Sequence, residues 1–128
     1  MSGPIVFVSH NRIKDDKLDA FRTFFHEGSR SIEQDKPGTV VFLAYADEEG
    51  QTADIVHVFP DAEAMDRHMD GVAERVGASD QFIEGTGVEI YGSPSRPVLE
   101  MMQAFATQRA PLTVRPELVG GYLRPDGG

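Results

Sequence analysis

The chain of 128 residues carries 12 basic and 21 acidic side chains, for a formal net charge of −9, and contains no Cys and no Trp. This length predicts a single domain, and the lack of Cys excludes disulfides, thiolate catalysis and Cys-ligated metals. The acidic balance argues against nucleic-acid and anionic-membrane partners, which bind basic surfaces. No apolar run reaches the ~20 residues of a membrane span, and the first residues lack the basic segment of a signal peptide. We therefore expect a cytoplasmic protein that binds a small molecule or another protein.

The first elements in chain order are a strand and a helix. Residues 5–13 begin with the β-branched and aromatic side chains typical of a strand. Apolar residues then recur at helical spacing from Leu18 to Ile32, after two acidic residues that suit a helix N-terminus. Pro37 and Gly38 end this predicted helix.

A hairpin, a second helix and a fourth strand follow. Residues 39–46 are mainly apolar on both faces, and a short acidic turn precedes a third strand at 55–59. Asp61 is a suitable N-cap for a helix that we predict to continue to about Val76. Residues 87–91 predict the last strand, so the order is β-α-β-β-α-β. This order is that of a ferredoxin-like α+β fold.

The predicted ferredoxin-like domain covers residues 1–92, and residues 93–128 form a C-terminal extension. A helix is expected at about 97–108, where Val98 and Met102 belong to an apolar stripe, and a mostly extended tail follows. A solvated tail would not carry such a stripe. We therefore expect the extension to pack on its own or on a partner subunit.

The segment VHVFPDAEAMDRH at 56–68 resembles the signature of antibiotic-biosynthesis-type monooxygenase (ABM) domains, in which a strand with an aromatic residue leads through a short turn into a helix that begins with Ala and has a His four residues later. KPGTV at 36–40 and HNRI at 10–13 are similar to two further segments of these domains. The resemblance covers about residues 5–92. It implies a homodimeric α/β barrel in which two sheets face each other, helices cover the outer faces, and a pocket lies between sheet and helices.

Some members of this family oxygenate phenolic or quinol substrates without metal or flavin, whereas others degrade haem. Asn11 matches an Asn of the haem-degrading members, but His68 stands at the position of their Trp, and no later His follows. The resemblance therefore argues against haem, and nothing in the sequence indicates flavin. His57 stands where many family members have Glu, two residues before the strand aromatic.

Three residues are candidates for catalysis, each with a structural alternative. The amide N–H of Asn11 could hold a substrate carbonyl or a developing oxyanion, or could cap the turn after the strand. His68, at the rim of a helix face, could transfer protons near neutral pH or simply bond a backbone carbonyl. His57 could take a phenolic proton if its face lines the dimer barrel, or could pair with an acid across the sheet.

A binding site is expected to include five further residues that share a face with these candidates or end a strand. They are Phe7, Ser9, Tyr45, Phe59 and Met65. The alternative for each is an ordinary core or rim position. No His spacing typical of a metal site occurs, so we expect no metal.

Together with the resemblance, these residues predict a cofactor-independent monooxygenase that acts on a phenolic or quinol-type small molecule. In that reaction His57 or His68 removes the phenolic proton, the anion passes an electron to O2, and Asn11 holds the oxyanion in an apolar pocket. One alternative is a non-catalytic small-molecule-binding dimer. Another is an isomerase or lyase-like enzyme that uses the same His as its base.

Overall fold

A five-stranded sheet with a layer of helices makes up the fold in the computed structural model. The structure describes residues 3–108 and 110–124, so the first two and last four residues of the predicted domain and tail lie outside the described residues, as does residue 109. The elements, in chain order, are β1 (Ile5–Ile13), α1 (Leu18–Asp35), β2 (Val41–Asp47), β3 (Thr52–Phe59), α2 (Ala62–Met69), α3 (Val72–Ser79), β4 (Ile83–Tyr91), α4 (Arg96–Phe105) and β5 (Leu112–Arg115). This order confirms the predicted α+β class.

The strands lie in the order β2-β3-β1-β4-β5. Strands β2, β3, β1 and β4 pair antiparallel with one another, whereas β5 pairs parallel to β4. In this register Phe7 lies opposite His57, which lies opposite Phe42, so the three side chains form a row on one face. Against β4, the register of β1 shifts between His10 and Asn11, which marks a bulge further along β1.

The two faces of the sheet differ in what covers them. The buried residues of α1, α2 and α4 pack in two clusters with strand residues of a single face, among them Ile5, Phe7 and Ile13. We call this the helix-side face. The opposite face, here called the open face, carries aliphatic side chains that are half-exposed or exposed: Val6, Val8, Val41, Leu43, Val56 and Val58.

The second predicted helix is two helices. We expected one helix from Asp61 to about Val76, but α2 ends at Met69 and α3 begins at Val72. Gly71 between them has a φ of 82°, a left-handed conformation that glycine adopts at little cost and that ends a helix. Asp61 caps α2 as predicted, because its carboxylate accepts a hydrogen bond of 2.8 Å from the N–H of Ala64.

Other boundaries differ from the predictions by a few residues. Strand β4 begins at Ile83 rather than at 87, because Ile83 pairs with Ile13 of β1 and is buried beside it. Helix α4 ends at Phe105 rather than at about 108, because the next residue, Ala106, takes an extended conformation. None of the described helices is long and apolar enough to cross a membrane.

The C-terminal extension packs against the core of its own subunit. Val98 and Met102 of α4 are buried in one cluster with Ile5, Phe7 and Phe59. Strand β5 adds to the edge of the sheet beside β4. Residues of the extension therefore complete the hydrophobic cluster that contains Ile5, Phe7 and Phe59.

We expect Met102→Ala to lower the free energy of unfolding by about 2–5 kcal/mol, because it removes a buried side chain and leaves a cavity. Urea unfolding followed by circular dichroism measures the change. The exposed neighbour Gln103 provides a matched control, and Gln103→Ala should change stability by less than about 0.5 kcal/mol. Equal stability of the two variants would contradict the packing of the extension on this core.

Candidate functional site

A cavity of about 660 Å³ lies between the helix-side face of the sheet and the helices. Small-molecule sites usually have volumes of ~300–1,000 Å³, so this cavity is large enough for a ligand of several rings. Its polar lining includes Ser9 and Asn11 of β1, His57 of β3, His68 of α2 and Arg75 of α3. All three candidate catalytic residues therefore meet at one cavity.

His57 lies in the middle of β3, and its side chain points to the helices rather than into a barrel on the open face. Its Nδ1 lies 3.0 Å from the carbonyl oxygen of Phe7, which can only accept a hydrogen bond, so Nδ1 carries the ring proton. No described residue bonds Nε2, which is accessible from the cavity. Burial lowers the pKa of His57 to about 4. The ring is therefore neutral at pH 7, with a free lone pair on Nε2.

His68 packs edge-to-face against His57, with ring centroids 5.0 Å apart. Its Nδ1 lies 2.7 Å from the hydroxyl oxygen of Thr39, and that hydroxyl has no other acceptor among the described residues. We infer that the hydroxyl donates to Nδ1, which leaves the proton of the neutral ring on Nε2. Burial lowers the pKa of His68 to about 3, helped by repulsion from His57, Arg75 and Lys36.

The pair therefore presents two different groups to the cavity. His57 offers a lone pair that can take a proton, and His68 offers an N–H that can donate a hydrogen bond. Both rings contact Phe42, whose centroid lies 5.1 Å from that of His57 and 5.7 Å from that of His68. Such a pair, held among aromatic rings, is suited to acid–base chemistry on a bound molecule.

The side-chain N–H groups of Asn11, expected to hold a substrate carbonyl or oxyanion, already have acceptors within the protein. Its Nδ2 donates to the carbonyls of Ser9 (3.3 Å) and Ala53 (3.2 Å) and lies 3.3 Å from the hydroxyl of Ser9. A substrate oxyanion would have to displace these bonds. Its Oδ1, by contrast, accepts no hydrogen bond from any described residue. Asn11 therefore offers the cavity an acceptor, which suits a ligand hydroxyl.

Arg75 is a site residue that sequence reasoning missed. Its guanidinium donates to the carbonyl of Asp70 at 3.0 Å and to that of His68, while Lys36 donates to the carbonyl of Arg67 at 2.7 Å. These cations bind the C-terminal carbonyls of α2, where the helix dipole favours positive charge. Burial lowers the pKa of Arg75. The break at Gly71 turns Arg75 back towards His68, and the dipeptide Asp70-Gly71, a common turn signal, is the feature of the sequence that indicates it.

The five predicted binding residues divide among three environments. Phe7 and Ser9 line the cavity. Phe59 and Met65 are fully buried in the core and do not line it, because the neighbouring helix and strand pack directly on them. Tyr45 lies on the open face and is 65% exposed. Its hydroxyl therefore cannot reach a ligand in the cavity of the same subunit.

His10 has the opposite environment to the buried pair. On the open face its Nδ1 lies 2.9 Å from a carboxylate oxygen of Asp54, and its Nε2 lies 2.6 Å from one of Glu89. The hydrogen bond to Glu89 is the largest of the causes that raise the pKa of His10. Carboxylates only accept, so this geometry is that of a protonated ring. Among residues 3–108 and 110–124, no group of three or more His and acidic side chains is placed to hold a metal ion.

Because the pKa of His57 is lower in the folded protein, we expect acid to destabilise the fold through this residue. Above pH ~6.5 the ring is neutral in both states, but between pH ~6.5 and the folded value of about 4 the unfolded chain binds the proton more tightly. Across this pH range, urea unfolding should show that the free energy of unfolding falls by on the order of 3 kcal/mol more in the wild type than in His57→Phe. His26→Gln, at an exposed position, should keep the wild-type slope, and identical slopes for all three proteins would refute the assignment.

No protein-family model matches the sequence, and no curated protein matches it. Several solved structures share its fold. MupZ from Pseudomonas fluorescens is 17% identical with a TM-score of 0.70, and the match covers 97% of this chain and 97% of that chain. A proposed antibiotic biosynthesis monooxygenase from Caulobacter crescentus is 17% identical with a TM-score of 0.59, over 70% of this chain and 86% of that chain. HapK from Hahella chejuensis is 19% identical with a TM-score of 0.57, over 72% and 93%.

These matches differ in how much of this chain they include. The matches to the Caulobacter and Hahella proteins leave more than a quarter of the chain unmatched, whereas the match to MupZ spans nearly all of it. At these identities the comparisons establish the fold. The chain therefore has the ferredoxin-like α+β fold of ABM-type structures, as the resemblance in its sequence predicted.

Proposed function

We propose that this protein is a cofactor-independent monooxygenase that acts on a phenolic small molecule in the cavity between sheet and helices. The observation that carries the proposal is the pair of neutral imidazoles, His57 and His68, with one free lone pair and one N–H in the same apolar cavity. Asn11 supplies an acceptor for a second hydroxyl of the substrate. The ABM-type fold supports oxygenation as the reaction class.

In the proposed reaction, the substrate is an anthrone in its phenolic tautomer, in which one hydrogen of the ring CH2 group has moved to the oxygen. His57 Nε2 takes the proton of that hydroxyl, which gives an anion with its charge shared between the oxygen and the former CH2 carbon. The resulting anion gives one electron to O2, the two radicals combine at that carbon, and the proton held by His57 completes the hydroperoxide. Loss of water then converts CH2 to C=O. One oxygen atom remains in the product and the other leaves as water, so the substrate supplies all the electrons and no external reductant is needed.

The free-energy cost of the proton transfer shows what else the site must supply. A phenol has a pKa near 10 and His57 one of about 4, a gap worth ~8 kcal/mol. Transfer to His57 alone would therefore be very unfavourable. Donation from His68 Nε2 to the phenolate, with the positive charge of Arg75 nearby, stabilises the anion where water is excluded.

Oxygen uptake with 1,8-dihydroxyanthrone tests the proposal, after subtraction of the uncatalysed rate. We expect the wild type to consume O2 and His57→Ala to lower kcat by about 10²–10⁴-fold, the usual contribution of a positioned base. His26→Ala, at an exposed position on α1, should retain wild-type activity. We also expect no haem or flavin absorption band in the active protein. Absence of uptake by the wild type, or full activity of His57→Ala, would refute oxygenation at this site.

A second candidate function is acid–base catalysis without oxygen, as in an isomerase or lyase. The complementary lone pair and N–H of the two imidazoles favour it, because such reactions need both a base and an acid. Turnover under anaerobic conditions that is lost in His57→Ala would support it over oxygenation. A ligand that raises the melting temperature without turnover would instead support a binding protein.

We propose that the protein forms a homodimer through its open face. Aliphatic side chains form a continuous patch on three adjacent strands there, with Val56 and Val58 on its middle strand. Apolar patches of this kind are commonly interaction sites. A second copy that presents the same patch would cover it, and the two sheets would then form the barrel that the ABM resemblance implies.

Val56→Asp should shift the protein from dimer to monomer in sedimentation velocity, because it places a carboxylate on the middle strand of the apolar patch. Leu43→Glu tests the same face at a more exposed position and is less disturbing to the fold. Thr23→Asp on the exposed surface of α1 is the control and should remain dimeric. A monomeric wild type, or folded variants that all remain dimeric, would contradict this interface.

A further inference from the structure

Gly28 occupies an unfavourable position for a glycine, in the interior of helix α1. Glycine destabilises a helix interior relative to alanine, so a structural or functional reason is expected for its presence. Its φ does not lie in the left-handed region that favours glycine. Backbone geometry therefore does not account for it.

Close packing does not account for Gly28 either. A Cβ built on this residue would have no atom within 4 Å outside its own helix backbone and chain neighbours. Gly38 shows the contrast, because a Cβ there would lie only 2.9 Å from the Cβ of Ala64. Gly28 thus borders open space, and that space is part of the cavity that contains His57 and His68.

Contacts between rings connect this part of α1 to the imidazole pair. Phe25 lies one turn before Gly28, and its ring stacks on Phe42 at a centroid distance of 4.9 Å. Phe42 in turn contacts both His57 and His68. A ligand held at the imidazoles and extending along α1 would therefore reach the space beside Gly28.

We propose that Gly28 is a specificity-determining residue, whose missing side chain leaves room in the cavity for an aromatic ligand of several fused rings. The inference rests on the proposed use of this cavity but not on oxygenation. The aromatic lining favours flat apolar ligands over polar ones; it comprises Phe7, Phe21, Phe24, Phe25, Phe42 and Phe105. A side chain at position 28 would shorten the space available to such a ligand and leave the imidazoles in place for a smaller one.

The experiment compares the wild type with Gly28→Ala, Gly28→Leu and Gly77→Ala. Gly77 is the matched control, because it is also a helical glycine with no atom near a built Cβ, but it is exposed and does not line the cavity. The probes are 1,8-dihydroxyanthraquinone, which has three fused rings and is stable to O2, and hydroquinone, which has one ring. Binding is measured by titration calorimetry, and stability by the melting temperature.

We expect Gly28→Ala and Gly77→Ala each to raise the melting temperature by about 4 °C, since both replace a helical glycine. Gly28→Leu should remain folded and bind the three-ring probe at least roughly tenfold more weakly than the wild type, with its affinity for hydroquinone unchanged within about twofold. Gly77→Ala should bind both probes as the wild type does.

Three results would overturn the inference. The first is that the wild type does not bind the three-ring probe. The second is that folded Gly28→Leu binds that probe with unchanged affinity. The third is that Gly28→Leu loses affinity for both probes equally. The last result would indicate damage to the imidazole pair rather than a limit on ligand size. If Gly28→Leu selectively loses affinity for the three-ring probe but the wild type takes up no oxygen, the role of Gly28 is upheld and only the oxygenation proposal is refuted.

Discussion

The hydrogen bond from His57 Nδ1 to the carbonyl of Phe7 is the contact on which the chemistry of the cavity depends. It crosses from β3 to β1, so the pairing of the central strands fixes the ring. Because the carbonyl can only accept, the bond also selects the tautomer and leaves Nε2 unprotonated. Without it, a buried ring among phenylalanines would have no reason to present its lone pair rather than its N–H to the cavity.

The same residue type has opposite charge states on the two faces of one sheet. His57 lies on the helix-side face among aromatic rings, and burial lowers its pKa to about 4. His10 lies on the open face between Asp54 and Glu89, which raise its pKa. A difference of a few ångströms across the sheet therefore separates a neutral base from a cation, because one environment removes water and the other supplies carboxylates.

Local patterns in the sequence were sufficient to predict the order of elements, apart from the division of the second helix and strand β5, and part of the site. Alternation along β1 correctly placed Phe7, Ser9 and Asn11 on one face, since side-chain direction in a strand depends only on position. The same reasoning could not place Arg75, because its approach to His68 depends on a left-handed turn. Nor could it show that the N–H groups of Asn11 are already bonded, because their acceptors, apart from Ser9, come from another strand.

The packing of α4 and β5 has a consequence for the order in which this molecule acquires its site during synthesis. Met102, Phe105 and Leu112 form part of the cavity wall, although the sheet strands and helices that hold both imidazoles precede them in the chain. Domains generally fold from the N-terminus as the ribosome extends them. A nascent chain can therefore position its base and its acid before this part of the cavity wall exists, and the complete wall is among the last features to form.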